Sequence, residues 1–350
     1  MQTKLKIVGV TAMLLLTFLS GYSQERKYFR KADLEADLMY IAEKIRNVQN
    51  APFLYCKEED FERETERIRK ELQDSMALAD FARLVYPLLK MSGDEHARIL
   101  DEDPRALFKP KENNAVESQL SGVGYEKIGK TGILTVEHFR IGQGVTMELW
   151  EKYIDSLARQ IQKDGIERLL IDVSHNGGGS SNIGDLLIAY FCPHPYYSYS
   201  MTWKRSDDYL DFFKSLGGND SRYEALKCGE YFIKPSQLVQ PPEKRFPYRG
   251  RLWVAVGGKT FSSAMMFATV IKDNRLACLI GETPEHGHPN HFGEMIFLQA
   301  PRTGLNFGFG VKQFIRPSGE KENNILEPDV KIDLSKIKAP ADWVPYLESL

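Results

Sequence analysis

The sequence predicts a mixed α/β (α+β) protein, in which a small helical domain precedes a core of strands and helices. Residues 31–91 carry apolar side chains at three- and four-residue spacing, which is typical of amphipathic helices. Farther along, two short apolar runs, Arg168–Val173 and Leu252–Val256, each lead through glycines into a helical pattern. Buried strands that run into helices in this way indicate a parallel sheet covered by helices.

The composition gives no sign of a nucleic-acid partner, and the N-terminus predicts export. The 350 residues carry a formal net charge of −2, whereas nucleic-acid binders are usually basic. Residues 1–23 resemble a secretory signal peptide: Lys4 and Lys6 precede an apolar run over 7–19, and small residues follow. The apolar run is short for a membrane span, so we expect contact with a membrane only during export. The mature protein is expected in the periplasm or outside the cell.

The cysteines predict no metal site, because they lie far apart in the sequence and lack the spacing of metal ligands. Export permits disulfides, but the spacing specifies no pairing. The four cysteines are Cys56, Cys192, Cys228 and Cys278.

The helical domain is expected over residues 27–100. Its helices are predicted over 31–48, 61–72 and 76–91. It ends in the polar segment MSGDEHAR, residues 91–98, where a lone histidine such as His96 is usually a solvated loop residue. Polar residues with prolines follow over 101–121 and predict a linker.

The core is expected over residues 122–335, and a C-terminal tail follows over 336–350. Residues 193–249 are rich in tyrosine, proline and charge, and they predict an excursion from the core that forms a rim or lid over the site. The predicted strands are 123–127, 131–139, 168–173, 252–256, 276–280, 295–298 and 308–316, and the predicted helices are 146–163, 183–191, 209–216 and one that begins near Ser262.

Two junctions between a strand and a helix carry residues suited to chemistry. Ser174–Ser181 contains three consecutive glycines, whose backbone N–H groups either converge on an anion or simply form a tight turn. In the second junction, Thr260, Ser262 and Ser263 place hydroxyls at a helix N-terminus, where they either cap the helix or serve as a nucleophile. A nucleophile suits this position because preorganised N–H donors can meet the oxyanion that it generates.

Together the segments IDVSHNGGG, VGGKTFSSA, KDNRLACLIGETP and EPDV resemble the C-terminal (tail-specific) processing peptidases, whose wider group includes the tricorn-core peptidases. The resemblance covers about residues 120–335. It implies a crotonase-like core of ββα units and a serine endopeptidase that acts on peptide or unfolded protein, without a metal or organic cofactor. The family's nucleophile lies eleven residues before the aspartate of the KDNR segment, here Asp273, which implies Ser262. The oxyanion donors implied are the amides of Gly177, Gly178 and Ser263.

Two departures from the family pattern bear on function. The interval between Leu100 and Val123 is too short for a PDZ domain, so the chain resembles a PDZ-free branch similar to the tricorn-core peptidases. A module that tethers the peptide substrate is therefore not expected. The second departure is the lysine of the Ser–Lys processing peptidases, which is absent from the segment GETPEHGH, residues 281–288.

A serine hydroxyl is a poor nucleophile without an adjacent base, and several candidates are open. His96 lies in a D-x-H segment that resembles the turn holding the histidine base of the PDZ-free branch. His288 occupies about the position of the missing lysine, and Lys259 lies three residues before Ser262. A site with no working base is the fourth possibility. Glu282 either orients a histidine or pairs with a cation of the loop.

The alternative is a non-catalytic binding protein on the same core, with the retinoid-binding repeats of the superfamily as precedent. The pocket over Ser262 would then hold a peptide or a hydrophobic ligand. The aromatic residues that either line its rim or belong to the core are Tyr196, Tyr197, Tyr199, Trp203 and Tyr209. A histidine or lysine nitrogen close to the Ser262 hydroxyl would favour catalysis over binding.

Overall fold

A computed structural model describes residues 27–100, 120–142, 144–322 and 324–350. The expected signal peptide, residues 1–23, and nearly all of the expected linker, residues 101–121, lie outside the described residues. Within the described part of the chain, no helix has the length and apolar character needed to cross a membrane.

Strands and helices alternate along most of the chain. In order they are β1 (Tyr28–Arg30), α1 (Lys31–Val48), α2 (Glu58–Glu71), β2 (Ser75–Ala77), α3 (Leu78–Lys90), β3 (Arg98–Leu100), β4 (Val123–Ile128), β5 (Thr131–Val136), α4 (Met147–Lys163), β6 (Arg168–Asp172), α5 (Ser181–Phe191), β7 (Tyr196–Tyr197), β8 (Ser200–Lys204), α6 (Asp207–Ser215), α7 (Ser221–Glu224), β9 (Tyr231–Lys234), β10 (Leu238–Val239), β11 (Arg251–Val256), α8 (Ser263–Asp273), β12 (Cys278–Gly281), β13 (His291–Gln299), β14 (Asn306–Ile315), β15 (Val330–Lys331) and α9 (Val344–Ser349).

The larger sheet has its strands in the order β15-β12-β11-β6-β5-β4. Strands β5, β6, β11, β12 and β15 run parallel, and β4 is antiparallel to β5. The strands are apolar on both faces because helices α4, α5 and α8 cover one face and the C-terminal segment covers the other. Parallel strands end at the same edge of a sheet, so the segments that follow β5, β6 and β11 meet there.

The smaller sheet has the order β13-β14-β8-β9, and β3 also pairs with β14. Strand β3 pairs along Asn306–Gly308 of β14, and β8 pairs along Lys312–Ile315 of the same strand. Because β13 occupies the opposite edge of β14, residues 309–311 lie in a gap between β3 and β8. The described chain therefore leaves a short stretch of β14 backbone available for contacts other than strand pairing.

The N-terminal helices do not close a core of their own. Leu34 and Phe81 belong to one hydrophobic cluster with Phe307 and Phe309 of β14. Residues 193–249, which the sequence predicts as an excursion, supply β8 and β9 of the smaller sheet. The molecule is thus built on two main hydrophobic cores, one at the larger sheet and one at the smaller sheet. The domain limits given above stay predictions.

The elements predicted from periodicity are confirmed, with differences of a few residues at their ends. The strands β1, β2, β3, β7, β10 and β15 were not among the predicted elements, because stretches of two or three residues carry no period. Strands β8 and β9 and the short helices α7 and α9 were also not predicted. The four cysteines are free thiols.

The C-terminal segment, predicted as a tail, covers one face of the larger sheet. The Trp343 ring is 1% exposed, packs in a cluster with Leu170 and Trp253, and donates its N–H to Asp172 Oδ2 at 3.2 Å. Burial of a whole indole ring on a sheet face stabilises the fold by several kcal/mol.

We expect Trp343→Ala to lower the free energy of unfolding by about 3–5 kcal/mol, because the substitution leaves a cavity on the sheet face. Urea denaturation measures this change. Leu350→Ala, at the exposed end of the same segment, serves as control and should change the free energy by less than about 0.5 kcal/mol. Equal, small effects of both substitutions would show that the segment does not stabilise the sheet.

Candidate active site

Ser262 lies in the turn between β11 and α8, at the edge where the parallel strands end. Its backbone has φ 54° and ψ −125°, a sparsely populated conformation for a residue with a side chain. The hydroxyl does not cap the helix, although Ser262 is the N-cap residue. The side chain is therefore free to face away from the helix and toward the rest of the site.

Hydrogen bonds fix this turn against the loop that follows β6. The Thr260 hydroxyl donates to Val173 O at 2.9 Å and accepts the Gly257 N–H at 3.0 Å. The Ser263 hydroxyl donates to Gly179 O at 2.7 Å. The two junctions that the sequence singles out are therefore in direct contact, and the hydroxyls beside Ser262 have structural partners.

The glycine loop approaches the Ser262 turn so closely that a side chain would not fit. Gly178 has φ +96°, and a Cβ placed on it would lie 2.7 Å from Ser262 Cβ. Asn176 holds the loop in place: its side-chain N–H donates to Val136 O at 2.9 Å and its Oδ1 accepts the Gly178 N–H at 2.8 Å. The close approach explains why glycine is required beside the serine.

Two of the three implied oxyanion donors have N–H groups that are free to bind a substrate oxygen. The Gly178 N–H is already bonded to Asn176, whereas the N–H groups of Gly177 and Ser263 have no acceptor among the described residues. A Cβ on Gly177 would meet no heavy atom within 4 Å, so open space lies beside this residue. Free amide N–H groups next to open space can donate hydrogen bonds to an oxygen of a bound group.

His96 brings a basic nitrogen to the serine. It lies in the turn between α3 and β3, and its Nε2 is 3.1 Å from Ser262 Oγ. The imidazole packs against the Phe261 ring with 4.7 Å between centroids, and 12% of the side chain is exposed. A nitrogen at this distance can accept the hydroxyl proton if the imidazole is neutral with its proton on Nδ1.

The carboxylate of Asp94 lies behind His96. It is fully buried and accepts the His96 backbone N–H at 2.8 Å through Oδ1 and the Gly310 N–H at 2.6 Å through Oδ2. Its Oδ1 lies 3.7 Å from His96 Nδ1. Gly310 is in the gap of β14 between β3 and β8, so the carboxylate occupies the place of a strand partner.

The other predicted candidates have different neighbours. His288 Nδ1 lies 3.2 Å from Glu95 Oε1, and the His288 backbone N–H donates to Glu95 Oε2 at 3.2 Å. Lys259 is exposed. Glu282 accepts the Leu334 N–H at 2.8 Å, beside the C-terminal 3₁₀ turn. Of the candidate bases, His96 is the one that the described chain brings to the Ser262 hydroxyl.

His291, at the start of β13, is a second partly buried histidine, and it lies beside the pair. Its ring centroid lies 6.1 Å from that of His96 and 5.3 Å from that of Phe314, and its Nδ1 lies 3.0 Å from Pro289 O. Burial, with the nearby His96 and only weak opposing contributions, lowers the pKa of His291 to about 4. The ring is therefore neutral at pH 7.

An ion pair joins the end of α8, the helix that follows Ser262, to the residue directly after β14. Asp273, at the end of α8, accepts Arg316 Nε at 3.0 Å and Nη2 at 2.5 Å. The two side chains are only 4% and 9% exposed. Burial and the Asp273 carboxylate act oppositely on the Arg316 pKa, and the carboxylate prevails and raises it.

The aromatic residues considered for a ligand rim belong mostly to the core. Tyr196, Tyr199, Trp203 and Tyr209 are at most 6% exposed, whereas Tyr197 is 55% exposed. Tyr199 donates its hydroxyl to Pro289 O at 3.0 Å, which ties it to the loop before β13.

Sequence reasoning missed the roles of Asn176, Asp94 and Arg316. An asparagine just before a glycine run is a signal for a side chain that bonds its own loop, and it could have identified Asn176. Asp94 was visible as the first residue of the D-x-H segment. Arg316 carries no such signal, because its partner Asp273 lies 43 residues away.

Comparison with known proteins agrees with this architecture. A model of peptidase family S41 matches residues 130–332. The chain is similar in fold to mature CPAF, with TM-score 0.61, 13% identity and coverage of 91% of this chain and 96% of that chain. The photosystem II D1 C-terminal processing protease has TM-score 0.50 and 12% identity, with coverage of 86% of this chain and 94% of that chain. A lipoprotein from Streptococcus agalactiae has TM-score 0.55 and 14% identity, with coverage of 90% of this chain and 96% of that chain.

No curated protein matches the chain. The family match and the structural similarities confirm the predicted mixed α/β fold class and the resemblance to C-terminal processing peptidases.

We expect His291 to make the fold sensitive to mild acid. Between pH 6.5 and about 4 the unfolded chain binds a proton on this histidine that the folded protein does not bind. Stability is therefore complete above pH 6.5 and decreases as the pH falls, by about 3 kcal/mol in total. Urea denaturation at several pH values measures the decrease.

His291→Gln should remove this part of the pH dependence, whereas His194→Gln, at an exposed position, should leave it unchanged. An unchanged decrease in His291→Gln would contradict the assignment of the effect to His291.

Proposed function

Because the chain belongs to peptidase family S41, we propose that it is a serine endopeptidase, with Ser262 as nucleophile and His96 as general base. The observation that carries the proposal is the 3.1 Å distance between His96 Nε2 and Ser262 Oγ. Nucleophile and base within hydrogen-bond reach are the essential arrangement of this chemistry.

The reaction follows from the positions of these groups. Ser262 Oγ attacks the carbonyl carbon of a peptide bond while its proton moves to His96 Nε2. The carbonyl oxygen becomes an oxyanion, which the N–H groups of Gly177 and Ser263 can bind. His96 then gives the proton to the leaving amine as the C–N bond breaks. In the second half of the reaction His96 Nε2 takes a proton from a water molecule whose oxygen attacks the acyl carbon, and the bond from that carbon to Ser262 Oγ breaks as His96 returns the proton to Oγ.

The substrate is an extended segment of peptide or unfolded protein. The open space beside Gly177 supports this, because backbone groups of an extended chain can approach a glycine loop closely. An extended segment can also bind by adding a strand to a sheet edge. The chain is proposed to be exported to the periplasm or beyond the cell on the strength of residues 1–23. The similar fold of a bacterial lipoprotein is consistent with export.

The alternative, a non-catalytic binding protein, is less well supported. A binding pocket has no need for an imidazole nitrogen at hydrogen-bond distance from a strained serine. Most of the aromatic residues that would line its rim are buried in the core.

Ser262→Ala should abolish covalent labelling by a fluorophosphonate, because the probe reacts with an activated serine hydroxyl. Labelling is measured by in-gel fluorescence or by intact mass. Ser263→Ala is the matched control: it removes the adjacent hydroxyl, keeps the amide, and should leave labelling at Ser262. Labelling that persists in Ser262→Ala would reject Ser262 as nucleophile.

His96→Gln should slow labelling and peptide hydrolysis by about 10²- to 10⁴-fold, the usual contribution of a general base. His288→Gln is the control, since His288 contacts Glu95 rather than Ser262. Rates compared at pH 7 distinguish the two histidines. A larger loss in His288→Gln than in His96→Gln would transfer the role of base to His288.

A further inference from the structure

We propose that Asp94 is the positioning residue of His96: its buried charge holds the proton of the neutral imidazole on Nδ1 and stabilises the imidazolium formed during catalysis. The inference rests on the proposed function, because it assigns a role within the same reaction. It adds a third residue to the pair, a position for which the sequence offered Glu282, whose carboxylate accepts the Leu334 N–H instead.

The proposed reaction requires one particular tautomer of His96. For His96 Nε2 to accept the proton of Ser262, the neutral ring must carry its own proton on Nδ1. Nδ1 is buried and has no hydrogen-bond partner among the described residues. Its near neighbour Asp94 Oδ1, at 3.7 Å, is beyond hydrogen-bond length but within the range of strong attraction between buried charges.

The Asp94 carboxylate is surrounded by hydrogen-bond donors. Asp94 is fully buried, and its oxygens accept the backbone N–H groups of His96 and Gly310. A buried carboxylate requires such donors to remain ionised. Within the described chain its one side-chain ion-pair partner is His96, so the proton received from Ser262 creates a charge next to the opposite charge.

The other charged and titratable groups around His96 have different partners. Lys90 Nζ donates to the backbone oxygens of Asp94, Glu95 and Ala97. Glu95 is engaged with His288. His291 is partly buried and neutral at pH 7. These groups surround the turn, but none is as close to Nδ1 as the Asp94 carboxylate.

The smaller sheet fixes Asp94 in this position. Gly310, whose N–H binds Oδ2, lies in the gap of β14, and a Cβ there would lie 2.7 Å from Gly293 N. The carboxylate thus replaces a strand partner on one side and faces the imidazole on the other. A residue held only for structure would need the first contact and not the second.

Asp94→Asn removes the charge and keeps one acceptor oxygen, which can still accept the Gly310 N–H, whereas the His96 backbone N–H loses its acceptor. We expect kcat to fall by about 10²- to 10⁴-fold with KM changed less than about threefold. The acid limb of the kcat/KM profile should move by about one unit to lower pH, since the protonated imidazole loses its counter-charge. A purely structural role would not move this limb.

Glu95→Gln is the matched control: it removes the adjacent charge, which faces His288, and should leave the acid limb unchanged. Asp94→Asn with wild-type kcat and an unmoved acid limb would overturn the inference. If Ser262→Ala kept its labelling, the proposed function would fail instead, so the two failures are distinguishable.

A measurement on the wild-type protein does not depend on how the variant folds. In protein labelled with ¹⁵N-histidine, the His96 signals, assigned by their absence in His96→Gln, should show a protonated Nδ1 and an unprotonated Nε2 at pH 8. The opposite tautomer would overturn the role of Asp94.

Discussion

The contact between His96 Nε2 and Ser262 Oγ joins two parts of the molecule that are built on separate hydrophobic cores. Ser262 belongs to the larger sheet and its covering helices, whereas His96 lies where the N-terminal helices meet the smaller sheet. A shift of 1 Å between the cores would break the hydrogen bond. The buried pair of Asp273 and Arg316 crosses between the same two parts and limits such a shift. Because removing either partner would leave an unpaired buried charge, this ion pair favours a single relative arrangement.

The strained backbone of Ser262 is maintained by its surroundings. A positive φ at a residue with a side chain costs on the order of 1–3 kcal/mol. The bonds of Thr260 and Ser263 to the loop after β6, and of Asn176 within that loop, offset this cost. The strain keeps the hydroxyl away from the helix, where it would otherwise serve as a cap.

Sequence predicted the fold and the serine much better than the base. Buried strands and amphipathic helices have periods that a single sequence displays, so the strands of the larger sheet were largely visible, whereas β3, β8 and β9 of the smaller sheet were not. Ser262 was implied by the resemblance to the processing peptidases, through its interval of eleven residues to Asp273 within one strand-helix unit. The pairing of His96 with Ser262 spans 166 residues and depends on how two cores pack, which no local pattern encodes. The sequence therefore left four possibilities for the base open, and the shared core of the N-terminal helices and the smaller sheet was likewise not visible.

The absence of the family lysine goes together with a histidine that reaches Ser262 from a different part of the chain. In the Ser–Lys processing peptidases the loop after β12 would supply the base, whereas here the same loop supports the turn that holds His96, the proposed base. Gly287 of the loop lies against Phe261, with which the His96 ring packs, and His288 holds Glu95 next to His96. A lysine reaching Ser262 from this loop would compete for the position that the imidazole occupies. The histidine in the N-terminal turn and the absence of the lysine are thus compatible with the same packing.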